Sequence, residues 1–180
     1  MKKRNGMVLL VVLLLLALVV VWYLWSHKRN RLKAAADEAR YEKICDTVQT
    51  ISSKVYISFE GFQRNEITNL KYFLVRGHRI IANTLVREAF QGKDNYYSGI
   101  IPFAIFKKTD TVVVQTSGAD RRYFWVSGFR YRPYLYNGAM GYLGECDCRL
   151  FDGDYLVNGK KSYGALRKAD GMRQNPLTPR

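Results

Sequence analysis

Residues 7–25 read MVLLVVLLLLALVVVWYLW, a run of nineteen residues without a single charge. At ~1.5 Å per residue a helix of this length extends roughly 28 Å, close to the ~30 Å hydrocarbon core of a bilayer. A single helix satisfies all of its own backbone hydrogen bonds in that environment. The aromatic residues Trp22, Tyr23 and Trp25 gather at the C-terminal end, where an interfacial belt is expected. The sequence therefore predicts a transmembrane anchor helix from Met7 to Trp25.

The residues around this run indicate an anchor that is retained. The preceding residues 1–6, MKKRNG, form a basic tail of the kind that precedes a secretory signal or a signal anchor. The run exceeds the roughly 7 to 15 apolar residues of a cleaved signal, and SHKRNR follows it where small residues should precede cleavage. We therefore expect a single-pass membrane protein whose helix is not removed.

The charges beside the helix give conflicting indications of orientation. More basic residues follow the run (Lys28, Arg29, Arg31, Lys33) than precede it (Lys2, Lys3, Arg4). The positive-inside rule would place the following domain in the cytoplasm, but long domains cross membranes with little regard to charge. An N-terminal anchor followed by one domain more commonly keeps its N-terminus in the cytoplasm. We expect that topology, with an extracytoplasmic domain, and keep the reverse as the alternative.

The net charge of the chain is +14, and after residue 36 it is still 22 basic against 15 acidic residues, or +7. A basic domain beside a bilayer can attract anionic lipid, acidic glycan or nucleic acid, and net charge alone does not choose among them. We expect the lipid bilayer and an envelope protein as partners. Acidic glycan and anionic lipid are alternatives, and nucleic acid is not expected.

Residues 26–52 contain neither Gly nor Pro and are rich in good helix formers. Apolar residues recur there with helical spacing at Tyr41, Ile44, Val48 and Ile51. This pattern predicts a helical stalk that continues from the anchor and docks its apolar stripe on the following domain.

From residue 53 the pattern changes to short alternating runs rich in β-branched and aromatic residues, which predicts strands. Two hairpins are expected around Gly77 and Gly118, with further short strands and a turn at Asn158-Gly159. The fold class is therefore mainly β, a small β-sandwich of about seven strands over residues 53–168, with a barrel as the less favoured architecture. The polar, proline-containing residues 169–180 predict a flexible C-terminal tail.

Arginine and aromatic residues interleave most densely in residues 121–136, RRYFWVSGFRYRPYLY. Such interleaving can bind glycans or nucleic acids by stacking and charge. Because side chains alternate along a strand, either Phe124 and Val126 or Tyr123 and Trp125 should enter the core. We predict an exposed basic aromatic binding face formed by Arg122, Trp125, Arg130, Arg132 and Tyr134. Residues 138–144, rich in glycine, are expected to form a mobile loop beside it.

Three cysteines are too few for a disulfide framework or a four-ligand zinc site, but in an oxidising compartment Cys45 can pair with Cys146 or Cys148. Neither histidine, His27 or His78, has a sequence partner that suggests a base or a ligand. We therefore expect no catalytic residue, no metal and no cofactor.

The sequence thus favours a non-enzymatic binding or assembly component of a cell-envelope complex. A first alternative is a membrane-anchored hydrolase or thiol enzyme that uses Cys146, Cys148 and His78. A second alternative is a cytoplasm-facing protein that binds nucleic acid through its basic charge.

Overall fold

A computed structural model describes residues 2–87, 91–93, 96–139, 141–151 and 153–177. The chain is mainly β, with 42% strand and 28% helix, and combines several sheets with one long N-terminal helix. It divides into two units. The helix–hairpin unit comprises residues 1–44 and 133–148, and the sheet unit comprises residues 45–132 and 149–180.

The described residues contain two α-helices, fourteen strands and one 3-10 turn. The helices are α1 (Lys2–Thr47) and α2 (Arg64–Ile67), and the 3-10 turn is Lys168–Asp170. The strands are β1 (Thr50–Ile51), β2 (Tyr56–Glu60), β3 (Asn69–Arg76), β4 (Arg79–Arg87), β5 (Gln91–Lys93), β6 (Tyr96–Ile100), β7 (Phe106–Lys107), β8 (Thr111–Gln115), β9 (Tyr123–Ser127), β10 (Tyr131–Gly138), β11 (Gly141–Leu150), β12 (Leu156–Val157), β13 (Lys160–Lys161) and β14 (Ala165–Arg167). The predicted count of seven strands is thus not confirmed.

The predicted anchor and the first part of the predicted stalk form one continuous helix, α1. Its 46 residues extend roughly 69 Å at ~1.5 Å per residue. In the described part of the chain it is the one helix that is long and apolar enough to cross a membrane. Between Val12 and Trp25 the large apolar side chains are 46–65% exposed. That exposure fits a surface in contact with lipid and does not fit a core helix.

The stalk part of α1 presents one partly covered stripe at Ser26, Asn30, Ala34, Asp37 and Tyr41, spaced three or four residues apart. Strands β10 and β11 pair with each other, and most of this hairpin belongs to the same unit as the helix. Of the predicted stripe, Tyr41 belongs to this covered face and Ile44 is 45% exposed, while Val48 and Ile51 lie after the end of α1. The covered face consists mainly of polar and small residues, which hydrophobic periodicity does not detect.

The sheet unit contains a six-stranded sheet of order β13-β12-β9-β8-β3-β4 and a four-stranded sheet of order β14-β2-β6-β5. Strands β14 and β2 are parallel, and the other pairs are antiparallel. The two predicted hairpins are confirmed as β3–β4 and β8–β9. Both turn residues of the first hairpin have positive φ, 51° at Gly77 and 68° at His78, which matches the twist of the paired strands.

Aromatic rings fill the core of the sheet unit. Phe62 makes edge contacts with Phe59 of β2 at 6.1 Å and with Phe124 of β9 at 6.0 Å between ring centroids. All three rings are at most 1% exposed. Since β2 and β9 belong to different sheets, these rings connect the inner faces of the six-stranded and four-stranded sheets.

Two segments that the sequence predicts to be mobile form strand or bridge pairings instead. Residues 138–144 are the end of β10, a turn and the start of β11, with Met140 outside the described residues. The segment after residue 168, expected to be flexible, pairs with the six-stranded sheet, since Met172 and Tyr123 exchange two backbone hydrogen bonds of 2.9 and 3.0 Å. Residues 178–180 lie outside the described part of the chain. In both segments the ordering contacts come from distant residues, which composition does not reveal.

Candidate functional site

Arg122, the first residue of the predicted binding face, is mostly buried. Its side chain is 12% exposed and donates hydrogen bonds to Asp120 Oδ2 at 2.9 Å and to the Gly171 carbonyl oxygen at 3.2 Å. It therefore ties the C-terminal segment to the start of β9. This position suits a structural role and leaves little of the guanidinium for a partner.

Trp125 lies on the outer face of the six-stranded sheet, since Phe124 and Val126 of the same strand are 0% exposed and face the core. Of the two alternatives that the sequence left open, Phe124 and Val126 are thus the pair that enters the core, although Tyr123 is also buried, with 6% exposed. The indole packs against a buried cluster of Val75, Val113 and Tyr123, as do Phe73, Met172 and Leu177. Trp125 is thus partly covered by the C-terminal segment.

An open cavity of about 430 Å³ lies beside Trp125 on this outer face. Its walls include Val75, Ile80 and Leu177, with polar groups from His78 and Thr111. The indole Nε1 of Trp125 is buried and has no hydrogen-bond partner among the described residues. The cavity could accommodate a small, mainly apolar group.

Arg130 and Arg132 are the accessible cations of the predicted face, with side chains 52% and 45% exposed. Each lies near an acidic side chain. Arg132 Nη2 is 2.7 Å from Asp154 Oδ1, and Arg130 Nε is 3.8 Å from Asp46 Oδ1. The Arg130–Asp46 pair is exposed on both sides and contributes only about 0–1 kcal/mol, whereas Asp154 is 13% exposed and lies close to Arg132. A partner with acidic groups therefore competes more easily for Arg130 than for Arg132.

Tyr134, the last residue of the predicted face, belongs to the helix–hairpin unit. Its ring makes an edge contact with the Tyr136 ring at 5.0 Å, and the Tyr136 hydroxyl hydrogen-bonds with Asp147 at 3.1 Å. The other four predicted residues belong to the sheet unit.

The predicted anchor residues belong to α1. Trp22, Tyr23 and Trp25 are 60, 53 and 60% exposed, and for Met7 the structure describes only the backbone. The Arg29 guanidinium lies 5.7 Å from the centroid of the Trp25 ring. A tryptophan with a cation one helical turn later fits the polar boundary of a bilayer.

Cys45 and Cys148 are disulfide-bonded, and Cys146 is free. The sequence left open whether Cys146 or Cys148 takes part in a disulfide, and Cys148 is the one that does. Burial raises the pKa of the Cys146 thiol, and the nearby Asp37 carboxylate adds to the increase. The thiolate, which is the nucleophilic form, is therefore disfavoured.

The described residues contain no group of three or more His, Cys, Asp or Glu side chains that could hold a metal ion. His27 stacks on Tyr23 with 6.3 Å between ring centroids, and His78 occupies the β3–β4 turn and lines the cavity beside Trp125. The structure gives neither histidine a carboxylate or thiol partner among the contacts of the described residues.

Sequence reasoning missed one surface. The hairpin predicted around Gly77 includes the strand that contains Ile80, Ile81 and Leu85. The sequence did not indicate that this strand lies at the edge of the six-stranded sheet. These three side chains are 47, 46 and 42% exposed. Comparison of the chain with protein-family models, with curated proteins and with solved structures gave no significant match.

Proposed function

We propose that this protein is a single-pass membrane-anchored, non-enzymatic binding or assembly component of a cell-envelope complex. In this proposal the N-terminus is cytoplasmic and the β-domain extracytoplasmic. The disulfide-bonded state of Cys45 is the observation that carries the proposal. Disulfides persist on the oxidising side of a membrane and are rare in the cytosol, and this one begins two residues before the end of the helix that contains the apolar run.

The six-stranded and four-stranded sheets would form the two layers of a β-sandwich, with the Phe59, Phe62 and Phe124 rings between them. We assign partner binding to the accessible cations Arg130 and Arg132 of this domain. The preferred partner is an acidic surface of an envelope protein. Acidic glycan and anionic lipid headgroups present the same chemistry and remain alternatives.

Two other functions receive less support. A thiol enzyme needs a nucleophilic cysteine, whereas burial and Asp37 raise the pKa of Cys146 and Cys148 is held in the disulfide. A cytoplasmic nucleic-acid-binding domain would place that disulfide in a reducing compartment, where it would not persist.

A labelling experiment in cells tests the orientation. In a Cys146→Ser background, Lys160→Cys places a thiol at an exposed position of the β-domain, and Asn5→Cys places one before the apolar run. A membrane-impermeant maleimide should label Lys160→Cys in intact cells and Asn5→Cys only after lysis. The reverse pattern would place the domain in the cytoplasm and would overturn the proposal.

A paired comparison tests the binding surface. The double variant Arg130→Ala/Arg132→Ala should weaken capture of envelope proteins by the tagged full chain at least fivefold in solubilised membranes. Lys160→Ala/Lys161→Ala removes the same charge from β13 and should leave capture unchanged. Equal capture by both double variants would show that overall charge, or another surface, is responsible.

A further inference from the structure

Strand β4 is the last strand of the six-stranded sheet and pairs with β3 on one side. No described strand lies on its other side. It is nine residues long, Arg79–Arg87. The backbone groups of a long edge strand form a template on which another extended strand can add.

The side chains of β4 also favour pairing. Ile80, Ile81 and Leu85 are 42–47% exposed, and the strand contains no proline or lysine, the residues that commonly protect such edges. Its protective features are the terminal arginines and an irregularity in its register with β3 at Ile81. From Ala82 onward the register with β3 is regular.

The sequence of β4, RIIANTLVR, is nearly the same in character when read from either end, with Asn83 at its centre. In an antiparallel pair of two copies related by a two-fold axis at Asn83, Ile81 of each copy lies opposite Leu85 of the other. Ala82 lies opposite Thr84, and the two Asn83 side chains face each other. Ile81, Asn83 and Leu85 are all exposed, while Ala82 and Thr84 are partly covered. The exposed face of one strand would therefore continue into the exposed face of the other, and the partly covered faces would do the same.

We propose that β4 pairs antiparallel with β4 of a second copy of this chain, centred on Asn83, so that the six-stranded sheets of two molecules become continuous. Each apolar cross-strand pair contributes roughly 0.2–1 kcal/mol, and the opposed Arg79 and Arg87 side chains cost a similar amount per pair. The two Ile81–Leu85 pairs therefore offset the arginines, and the backbone hydrogen bonds provide the net stabilisation.

A single strand pair is smaller than the roughly 1,200 Å² of a standard stable interface. Association of free domains should therefore be weak. Confinement of the chains to a membrane raises their local concentration and favours the pair. This step uses the proposed anchor and does not depend on the side of the membrane that holds the domain.

Cysteine cross-linking of the full chain in membranes tests the pairing. In the Cys146→Ser background, Asn83→Cys places two thiols at the two-fold axis, where opposite Cβ atoms lie about 5 Å apart. Mild oxidation should give a disulfide-linked dimer at least tenfold more readily than for Lys160→Cys, an exposed control on the opposite edge strand β13. Equal cross-linking of the two variants would overturn the proposal.

Two further measurements identify the occupant of the edge. Adding Ile81→Lys/Leu85→Lys to Asn83→Cys should reduce the dimer at least fivefold, while retention of the native disulfide and of the β-sheet circular dichroism verifies folding. Raising NaCl from 0.05 to 0.5 M should increase the dimer, because salt screens the opposed arginines. An unchanged dimer in the lysine variant, or a dimer that weakens with salt, would overturn the proposal and favour an acidic partner strand.

Discussion

Tyr142 donates its hydroxyl hydrogen to Asp37 Oδ2, 2.8 Å away and 105 residues earlier in the chain. Both residues belong to the helix–hairpin unit. Tyr142 is 8% exposed, and burial followed by its hydrogen bond with Asp37 raises its pKa to about 12. The bond thus joins the β10–β11 hairpin to the covered stripe of α1.

Replacing Tyr142 with Phe should lower the free energy of unfolding by about 1 kcal/mol, because Asp37 Oδ2 loses its hydrogen bond from the Tyr142 hydroxyl. Thermal unfolding of the full chain in detergent micelles measures this loss. Tyr163→Phe is the matched control, since Tyr163 is 84% exposed. A loss of the same size in both variants would contradict a specific role for the Tyr142–Asp37 bond.

Alkaline pH should have a related effect. Because the pKa of folded Tyr142 is above the ordinary value of about 10, its contribution to stability is complete below pH 10. It should be lost as the pH rises from about 10 to 12. Tyr142→Phe should lack this part of the pH dependence, as unfolding curves of the two proteins at pH 9 and pH 11.5 can measure.

Asp110 should contribute stability that disappears in acid. Its side chain is 0% exposed and accepts two hydrogen bonds of 2.7 Å from Arg76 and one of 2.8 Å from the Lys107 backbone N–H. Burial favours a higher pKa for Asp110, but these hydrogen bonds outweigh it and hold the pKa below its ordinary value. Its stabilisation is therefore present above about pH 4 and is lost as the pH falls through the lower, folded-state pKa.

Asp110→Asn should cost about 2 kcal/mol at pH 7 and only a fraction of that at pH 2 to 3. Denaturant unfolding at the two pH values measures the difference. Asp46→Asn removes a carboxylate that is 57% exposed and serves as the control. If the cost of Asp110→Asn were the same at both pH values, the ionised Arg76–Asp110 pair would not be the source of stability.

Gly153→Ala should be strongly destabilising. Gly153 has φ of +83°, and an added Cβ would lie 2.6 Å from the Tyr163 carbonyl carbon and 2.9 Å from the Gly164 nitrogen. Gly159 has a similar φ of +77° with no atom within 4 Å of such a Cβ. We expect a loss of about 1 kcal/mol for Gly159→Ala and about 3 kcal/mol for Gly153→Ala. Similar losses in thermal unfolding would show that the backbone angle alone determines both.

The free thiol of Cys146 should react slowly with iodoacetamide at pH 8, because burial and Asp37 raise its pKa. Asp37→Asn removes the negative charge and should increase the rate severalfold. Glu38→Gln, at a more exposed position next to it in sequence, is the control. A pH–rate profile that does not move in Asp37→Asn would exclude Asp37 as a cause of the low reactivity.

Local signals in the sequence were sufficient for much of the fold. The nineteen-residue apolar run predicted the helix, and the glycines at the turns predicted the β3–β4 and β8–β9 hairpins. These elements depend on side-chain period and on backbone angles within a few residues. The fold class was therefore accessible as mainly β, while the division of the strands among four sheets was not.

The candidate binding face was harder to predict because burial depends on distant residues. Arg122 is covered because Gly171 and Asp120 accept its hydrogen bonds, and Trp125 because Leu177 packs against its cluster. The local sequence does not distinguish these two covered residues from the exposed Arg130. Glycine likewise indicated a loop at residues 138–144, where the β10–β11 hairpin is held by the Tyr142–Asp37 bond.

The 105-residue separation of Tyr142 from Asp37 also affects how the protein can be made. The ribosome completes the stalk of α1 long before it synthesises the hairpin that contributes to covering its stripe. Until about residue 148 has emerged, the β10–β11 hairpin is incomplete. The helix–hairpin unit is therefore completed late in synthesis, after residues 45–132 of the sheet unit have been made.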